Sequence, residues 1–382
     1  MNALLVVGAG FSGAVLAREL AEAGFDTHVI DQRDHVAGHC HSARDAETGV
    51  MEHVYGPHIF HTSNDAVWHY LQRFGEWMPF VNRVKARTAR GIFSLPINLH
   101  TINQFFGTAM GPDEARAFVA RLAARDIDVP ANLEEQALKF IGRDLYEAFF
   151  RGYTIKQWGC DPTELPADIL KRLPVRFNYD DNYYDSRHQA LPKHGYTRVV
   201  ENILDHPRVH VTLATPWDAA MQREFAHVFH SGAIDACFGF SEGRLGYRSM
   251  HWQRSVHDGD YQGTAIINCP TLDVPWTRVL EHRHLSPWAS CERSLVTHEF
   301  SKETEAGDLP FYPKRLAADR ELLARYVARV EAQRNMTFIG RLGTYRYLDM
   351  HQVIADALDL ARDWCAAHAR GAPRPLFSRP PL

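Results

Sequence analysis

The pattern of apolar and polar positions changes character several times along the chain, and each change predicts an element. Leu4-Leu5-Val6-Val7 is a short apolar run of the kind that forms a strand buried on both faces. Leu16, Leu20 and Ala23 then recur at helical spacing, Gly24 closes that helix, and Thr27-His28-Val29-Ile30 forms a second strand run. From about Ile97 to Gly159 the pattern is mostly helical. Its clearest helix opens on Asn132 with Glu135 completing a capping box, and Ala137, Ile141, Leu145, Ala148 and Phe149 form a core-facing stripe. Val175-Arg176-Phe177-Asn178-Tyr179 alternates like a strand, an α/β patch follows from Thr197 to Gly232, and antiparallel strands are predicted from roughly Tyr247 to Phe300. A last strand, Met336-Thr337-Phe338-Ile339-Gly340, precedes a helix beginning at Asp349. Gln352 completes a capping-box pattern there, and Val353, Ile354, Ala357, Leu358, Ala361 and Trp364 form its buried face. Gly371 to Leu382 carries Pro373, Pro375, Pro380 and Pro381 and reads as a frayed tail.

The first chemistry lies between strand and helix, in Gly8-Ala9-Gly10-Phe11-Ser12-Gly13. Gly8 allows the tight turn, Gly10 lets a pyrophosphate approach the backbone, and Gly13 lets helix and strand pack closely. Asp31 ends the second strand, where it can accept hydrogen bonds from an adenosine ribose. A Gly-rich turn alone is weak evidence, but strand, helix, second strand and terminal acid are all in place. The regular βα alternation of a nicotinamide domain does not continue: His35-Val36-Ala37-Gly38-His39 leads into an irregular stretch reaching Tyr55-Gly56-Pro57-His58-Ile59-Phe60-His61-Thr62. That favours a flavin, whose larger ring system is carried by loops from several segments. If the helix at Asp349 returns to this domain, its N-terminus, with roughly half a positive charge, points at the flavin's pyrimidine edge and favours an anionic reduced ring. From pattern alone an ordinary amphipathic helix fits equally well.

Composition narrows the function classes. The 382 residues suffice for two or three packed units at about 100–200 residues each. A net charge of −4 leaves no overall basic footprint for nucleic acid or a membrane surface. The six cysteines contain no C-x-x-C pair, which excludes a zinc ribbon or disulfide scaffold and suits a reducing cytoplasm. The 22 histidines include no H-E-x-x-H, so no metal is expected. No apolar run reaches the roughly 18 residues of a membrane span, and the strand pattern from Ala3 leaves no room for a signal peptide.

One constellation is harder to read as packing. Tyr153-Thr154-Ile155-Lys156-Gln157-Trp158-Gly159, Lys171-Arg172-Leu173-Pro174-Val175-Arg176, Asn182-Tyr183-Tyr184, Pro275-Trp276-Thr277-Arg278, Phe311-Tyr312-Pro313 and Tyr345-Arg346-Tyr347 place arginines and phenols beside strand-like runs. Guanidinium groups bind diphosphate oxygens bidentately and phenols donate further hydrogen bonds. Aromatic faces stack on a uracil or shield a sugar. Any one of these residues fits a solvated strand face as well, and spacing alone does not gather them into one pocket. There is no G-x-S-x-G elbow, P-loop or carboxylate pair for glycoside hydrolysis.

Taken together the motifs resemble one family, the flavin-dependent UDP-galactopyranose mutases. The matching segments are GAGFSG at 8–13, YGPHIFHT at 55–62, SLPINLHTINQFFG at 94–107 and GYTIKQWG at 152–159. LPADILKRLPVRF at 165–177, DNYY at 181–184, VPWTRVLEHRHL at 274–285 and GRLGTYRYLDMHQV at 340–353 continue the family's order over nearly the whole chain. The resemblance implies an isomerase that interconverts UDP-galactopyranose and UDP-galactofuranose with no net redox change, supplying galactofuranose for cell-wall polysaccharide. It implies FAD, active when reduced, whose N5 forms a covalent adduct with the sugar's anomeric carbon while UDP leaves.

By matching position, Arg172 and Arg278 resemble the diphosphate-binding pair, with Arg172 on a mobile loop, and His61 resembles a histidine near the flavin ring. Tyr183, Tyr312 and Tyr347 resemble phenols that hydrogen-bond the diphosphate, Tyr153 the uracil-stacking ring and Trp158 a residue beside the sugar. Asn82, Phe149, Thr154 and Asn268 match other substrate-pocket positions. Gly8, Gly10, Phe11, Gly13, Asp31, Gln32, His39, His58, Ile59, Arg341, Leu348, Asp349, Met350, His351, Gln352 and Val353 correspond to FAD contacts. The family's Gly-Gly-Asn is Ala37-Gly38-His39 here, and Asn268-Cys269-Pro270, Trp276 and Leu348 also depart from its pattern. These departures leave room for another sugar nucleotide, UDP-N-acetylgalactosamine or dTDP-fucose. An amine-oxidase-like flavin oxidoreductase is the alternative of a different class.

Pattern and resemblance together give an α/β chain: a Rossmann-like FAD-binding domain with an inserted helical domain and an antiparallel β-sheet domain. The expected boundaries are 1–78, 191–243 and 333–370 for the first and 97–160 for the second, with a mobile substrate loop following it. Residues 79–96, 161–190 and 244–332 make the third, and 371–382 a flexible tail. The partner implied is UDP-galactose or a related nucleotide sugar, with no nucleic acid and no membrane span. The resemblance also implies a homodimer or higher homo-oligomer.

Overall fold

The computed structural model describes residues 3–167, 169 and 175–382. Its nucleotide layer is a five-stranded parallel sheet in the order Val209–Thr212, Thr27–Ile30, Leu4–Val7, His227–His230, Met336–Phe338. Leu4–Val7 is central and buried at every residue, which explains its unbroken apolar run. Helix Phe11–Glu22 packs between Tyr196–Leu204 and Met350–Ala369 through Leu16, Leu20, Ile203, Ala357, Ala361 and Trp364. Three distant stretches of chain therefore build one Rossmann-like layer, and the last helix does return to it.

The second sheet has seven strands, in the order Tyr312–Pro313, Tyr247–Asp258, Arg293–Glu303, Arg278–Glu281, Ile266–Asn268, Val84–Thr88, Gly91–Leu95. It is antiparallel except where Ile266–Asn268 runs parallel to Val84–Thr88, so the expected antiparallel sheet is mixed. A three-stranded sheet of Phe60–Thr62, His188–Pro192 and Trp77–Pro79 lies in a further set of crossings. The helical layer runs Leu99–Phe106, Pro112–Leu122, Leu133–Tyr146, a π-helical turn Glu147–Arg151, and Gly152–Trp158. Asn132 Oδ1 accepts the Glu135 N–H at 3.0 Å, as the cap predicts, but Glu135 takes the Ala131 N–H at 2.7 Å rather than that of Asn132, so the expected capping box is displaced by one residue.

Two expectations are corrected. Residues 175–179 form no strand. Arg176 N–H goes to Ile97 O, Leu99 N–H goes to Asn178 O, and Asn178 and Asp180 side chains accept the N–H groups two residues on. Asn and Asp offer the backbone local partners that compete with a ladder. The Pro-rich end does not fray either. Phe338 N–H donates to Leu376 O at 2.8 Å, Ser378 N–H to Phe338 O at 2.9 Å, and Arg379 pairs with buried Asp356 at 2.6 Å. The tail covers the free edge of strand Met336–Phe338. Among the described residues no helix is long and apolar enough to cross a membrane.

Candidate active site

The Gly-rich turn has the geometry a dinucleotide needs. Gly8 sits at φ +105, and a Cβ on Gly13 would lie 1.9 Å from the Gly8 carbonyl, so neither position takes a side chain. Gly10 begins the helix without any capping side chain, leaving that N-terminus open toward a ligand. Across the turn, Gly38 stands so near that its own Cβ would lie 3.2 Å from Gly10 Cα. The buried Asp31 accepts the Ala9 N–H at 2.9 Å and the Arg33 N–H at 2.9 Å, which leaves carboxylate lone pairs for ribose hydroxyls. Beyond it, His39 stacks on Phe311 at 4.1 Å, and its buried Nε2 has no partner among the described residues. Burial, with the Arg33 and Arg341 cations beside it, holds His39 well below the ordinary histidine range.

The start of the central strand of the seven-stranded sheet, Arg278–Glu281, carries the charged centre. Arg278 faces Asn268 on one side and Glu299 on the other in strand register. Its Nη2 donates to Glu299 Oε2 at 3.0 Å, and its Nε lies 2.6 Å from Oε1 as an ion-pair contact without hydrogen-bond alignment, on a carboxylate only 1% exposed. Trp252 Nε1 also donates to Glu299, at 3.1 Å. Burial works against the Arg278 charge, but Glu299 and the Tyr153 and Tyr312 phenols outweigh it and raise its pKa further. Burial in turn pushes the Tyr153 and Tyr183 phenols up, with Arg278 pulling the other way, so both keep their protons to donate. Tyr312 stacks on Tyr347 at 5.7 Å, and the Arg341 guanidinium lies over both rings at 5.2 and 5.3 Å. Arg341 is fixed by two bonds to the Leu348 carbonyl, at 3.1 and 2.7 Å.

A second group adjoins the first through Tyr183 and Tyr184, whose rings meet at 5.2 Å. Tyr184 stacks on His61 at 3.8 Å, His61 Nδ1 lies 3.0 Å from Ser186 Oγ, and the His351 ring lies 5.2 Å from His61. Asp349 sits beside both histidines at the start of helix Met350–Ala369, where its N–H donates to Gln352 Oε1 at 2.8 Å. Burial lowers His61 to about 4 despite Asp349, and lowers His58 to about 4 with help from Arg341 and Arg278. Both are neutral imidazoles at pH 7. The buried His351 Nδ1 has no partner among the described residues.

A protein-family model described as UDP-galactopyranose mutase matches residues 148–347, and one described as an NAD(P)-binding Rossmann-like domain matches residues 6–74. The chain is 51% identical over 377 residues to a probable UDP-galactopyranose mutase of Klebsiella pneumoniae, covering 99% of this chain and 98% of that one. The chain belongs to the UDP-galactopyranose mutase family. It is thereby an isomerase by reaction class. It is also 45% identical to a dTDP-fucopyranose mutase of Escherichia coli, covering 95% of this chain and 98% of the relative. A crystal structure of reduced UDP-galactopyranose mutase shares the fold, with a TM-score of 0.76 at 15% identity over 99% of both chains.

Within this mutase fold the residues singled out from sequence fall into distinct settings. Arg278, Tyr153, Tyr183, Tyr312, Tyr347, Arg341, His58 and His39 surround one centre; His61, Asp349 and His351 flank it. Asn82 is 1% exposed, accepts the Tyr183 N–H at its carbonyl, and leaves a buried Oδ1 without a partner among the described residues. Thr154 and Ile59 are buried, Trp158 is half-buried at the end of its helix, and Gln32 is exposed. Phe149 packs edge-on against Phe93 and at 5.5 Å from Phe105, a packing role in the helical layer. Met350 and Val353 pack on the apolar core. Arg172 lies outside the described residues. Sequence reasoning passed over Glu299, although an acid on the same strand face as Leu295 and Thr297 is its one visible signal. Phe311 and Tyr184, quoted only as members of the arginine and aromatic constellation, stack on His39 and His61.

Proposed function

We propose that this mutase interconverts the pyranose and furanose forms of a nucleoside-diphosphate sugar, with UDP-galactose as substrate and reduced FAD as cofactor. The observation that carries the reading is the Arg278–Glu299 ion pair ringed by Tyr153, Tyr183 and Tyr312 in a fold with a dinucleotide-binding turn. Glu299 anchors the guanidinium through Nη2 and leaves other N–H donors for diphosphate oxygens, and the Tyr153 and Tyr183 phenols, which keep their protons, add donors around them.

The residues fit FAD on this structure's own terms. The Gly8–Gly13 turn and the uncapped helix start suit its pyrophosphate, Asp31 its ribose, and the buried nitrogens of His39 and His351, without partners among the described residues, a polar ring system. When bound in reduced form, FAD would supply a nucleophilic nitrogen for chemistry at the anomeric carbon. This chain's own work is to bind and hold. Arg278, the phenols and, by its resemblance, Arg172 keep the departing diphosphate near the sugar; Asn82 and Asn268 orient hydroxyls; neutral His61 can accept a proton at an imidazole nitrogen.

The 45% identity to a dTDP-fucopyranose mutase supports dTDP-fucose as the second candidate substrate. Anaerobic turnover of UDP-galactofuranose and dTDP-fucofuranose, with and without dithionite and resolved by chromatography, tests both. Conversion of UDP-galactofuranose only in the reduced sample is expected. Equal rates in oxidised enzyme would overturn the cofactor role, and exclusive use of the dTDP sugar would overturn the substrate.

A further inference from the structure

The two halves of the proposed substrate grip stand on different elements. Tyr153 and Trp158 are carried by the short helix Gly152–Trp158, whereas Asn268 and Arg278 flank the loop that joins two sheet strands. Lys156 links them. Its Nζ donates to the carbonyls of Cys269 at 2.6 Å, Thr271 at 2.7 Å, Trp276 at 2.7 Å and Val274 at 3.1 Å. An ammonium has three N–H donors, and one loop surrounds it with four acceptors. Such a shell resembles that of a bound monovalent cation, with the lysine as the ion. A second, independent contact tightens the same junction: a Cβ on Gly152 would lie 2.2 Å from the Pro270 carbonyl, so the backbones touch. The helix is also pinned at its far end. Arg248, 3% exposed, donates to Gln157 O at 2.9 Å and Lys156 O at 3.2 Å, and Ser301 Oγ donates to Gln157 O at 2.7 Å.

We infer that Lys156 is a positioning residue for the reaction: its ammonium wraps the 269–276 loop around itself and so sets Arg278 against Tyr153. The inference rests on the diphosphate role given to Arg278. Lys156 makes its bonds to main-chain carbonyls and has none left for substrate. Leu272, Asp273 and Pro275 of the loop are exposed, so without the ammonium the loop carbonyls turn to water and the loop relaxes while the core stays folded. A purely structural lysine would instead lower thermal stability and leave substrate affinity in proportion.

The test uses flavin-loaded, reduced full-length enzyme and UDP as the probe. Lys156→Met is expected to weaken UDP binding and raise KM by about tenfold or more, with flavin content unchanged and kcat reduced less than KM is raised. In an Arg278→Ala background the same change is expected to add little, because its effect runs through Arg278. An equal loss in both backgrounds, or unchanged UDP affinity in Lys156→Met, overturns the inference. If Lys156→Met fails to fold, Lys156→Gln, which keeps two N–H donors, is read by the same cycle. Failure of UDP to bind the wild-type enzyme would instead sink the diphosphate reading itself.

Discussion

Replacing Arg278 by alanine should do two separable things. It removes the guanidinium assigned to the diphosphate, and it strands Glu299, a carboxylate 1% exposed that among the described residues would keep only Trp252 Nε1 at 3.1 Å and Thr277 Oγ1 at 3.5 Å. Breaking a buried pair by removing one partner costs about 3–5 kcal/mol, because the remaining charge is uncompensated. For 382 residues unfolding as one unit, an entropy of about 2.1 cal/mol/K per residue turns that loss into a Tm drop of about 4–6 °C. The double variant Arg278→Ala/Glu299→Gln removes the stranded charge while keeping its shape and its acceptor for Trp252. Most of the Tm should return. UDP affinity should not: both variants should bind UDP roughly 30-fold to several thousand-fold more weakly, the usual cost of losing a charge-assisted contact to an anion. Thermal melts and anaerobic calorimetry with UDP read the two effects. An Arg278→Ala enzyme that melts with the wild type, or a double variant that stays equally unstable, would refute the buried-pair reasoning. Undiminished UDP affinity would refute the diphosphate role.

Asp31→Ala leaves the Ala9 N–H without its acceptor and removes the ribose site, so the purified protein should carry much less flavin, read from its visible absorbance. Deleting residues 371–382 uncovers the edge of strand Met336–Phe338 and unpairs Asp356, and should lower the Tm and promote aggregation in light scattering; an unchanged melt would show the tail to be idle. Stability should also fall in acid. Burial lowers His230 to about 4 and His227 and His282 to about 3, and His282 Nδ1 must stay unprotonated to accept the His53 N–H. Between pH 6.5 and these values the unfolded chain binds protons that the folded chain does not. Each such histidine then costs about 1.4 kcal/mol per pH unit as pH falls, a loss that stops below its folded pKa. Urea titrations from pH 7 to 4.5 should show the decline, and a flat midpoint would contradict it.

What could be read directly from the sequence was chemistry that acts over a few residues. The Gly8–Gly13 turn, the Asn132–Glu135 cap and the helix start at Asp349 depend on local φ, local donors and periodicity, and each is found where the spacing puts it. The same locality misled at residues 175–179, where alternation suggested a strand but neighbouring Asn and Asp side chains, with residues 97–99, took the backbone partners. Prolines at the end suggested fraying, yet a distant edge strand supplied the partners they lack in their own neighbourhood. Ordered motifs carried the family assignment, although no spacing showed that Arg278 would meet Glu299 or that Lys156 would fill the 269–276 loop. Those contacts depend on strand register and on how one element packs against another. Register is set by the whole sheet, so the partners of a buried charge become visible only once the chain has folded around it.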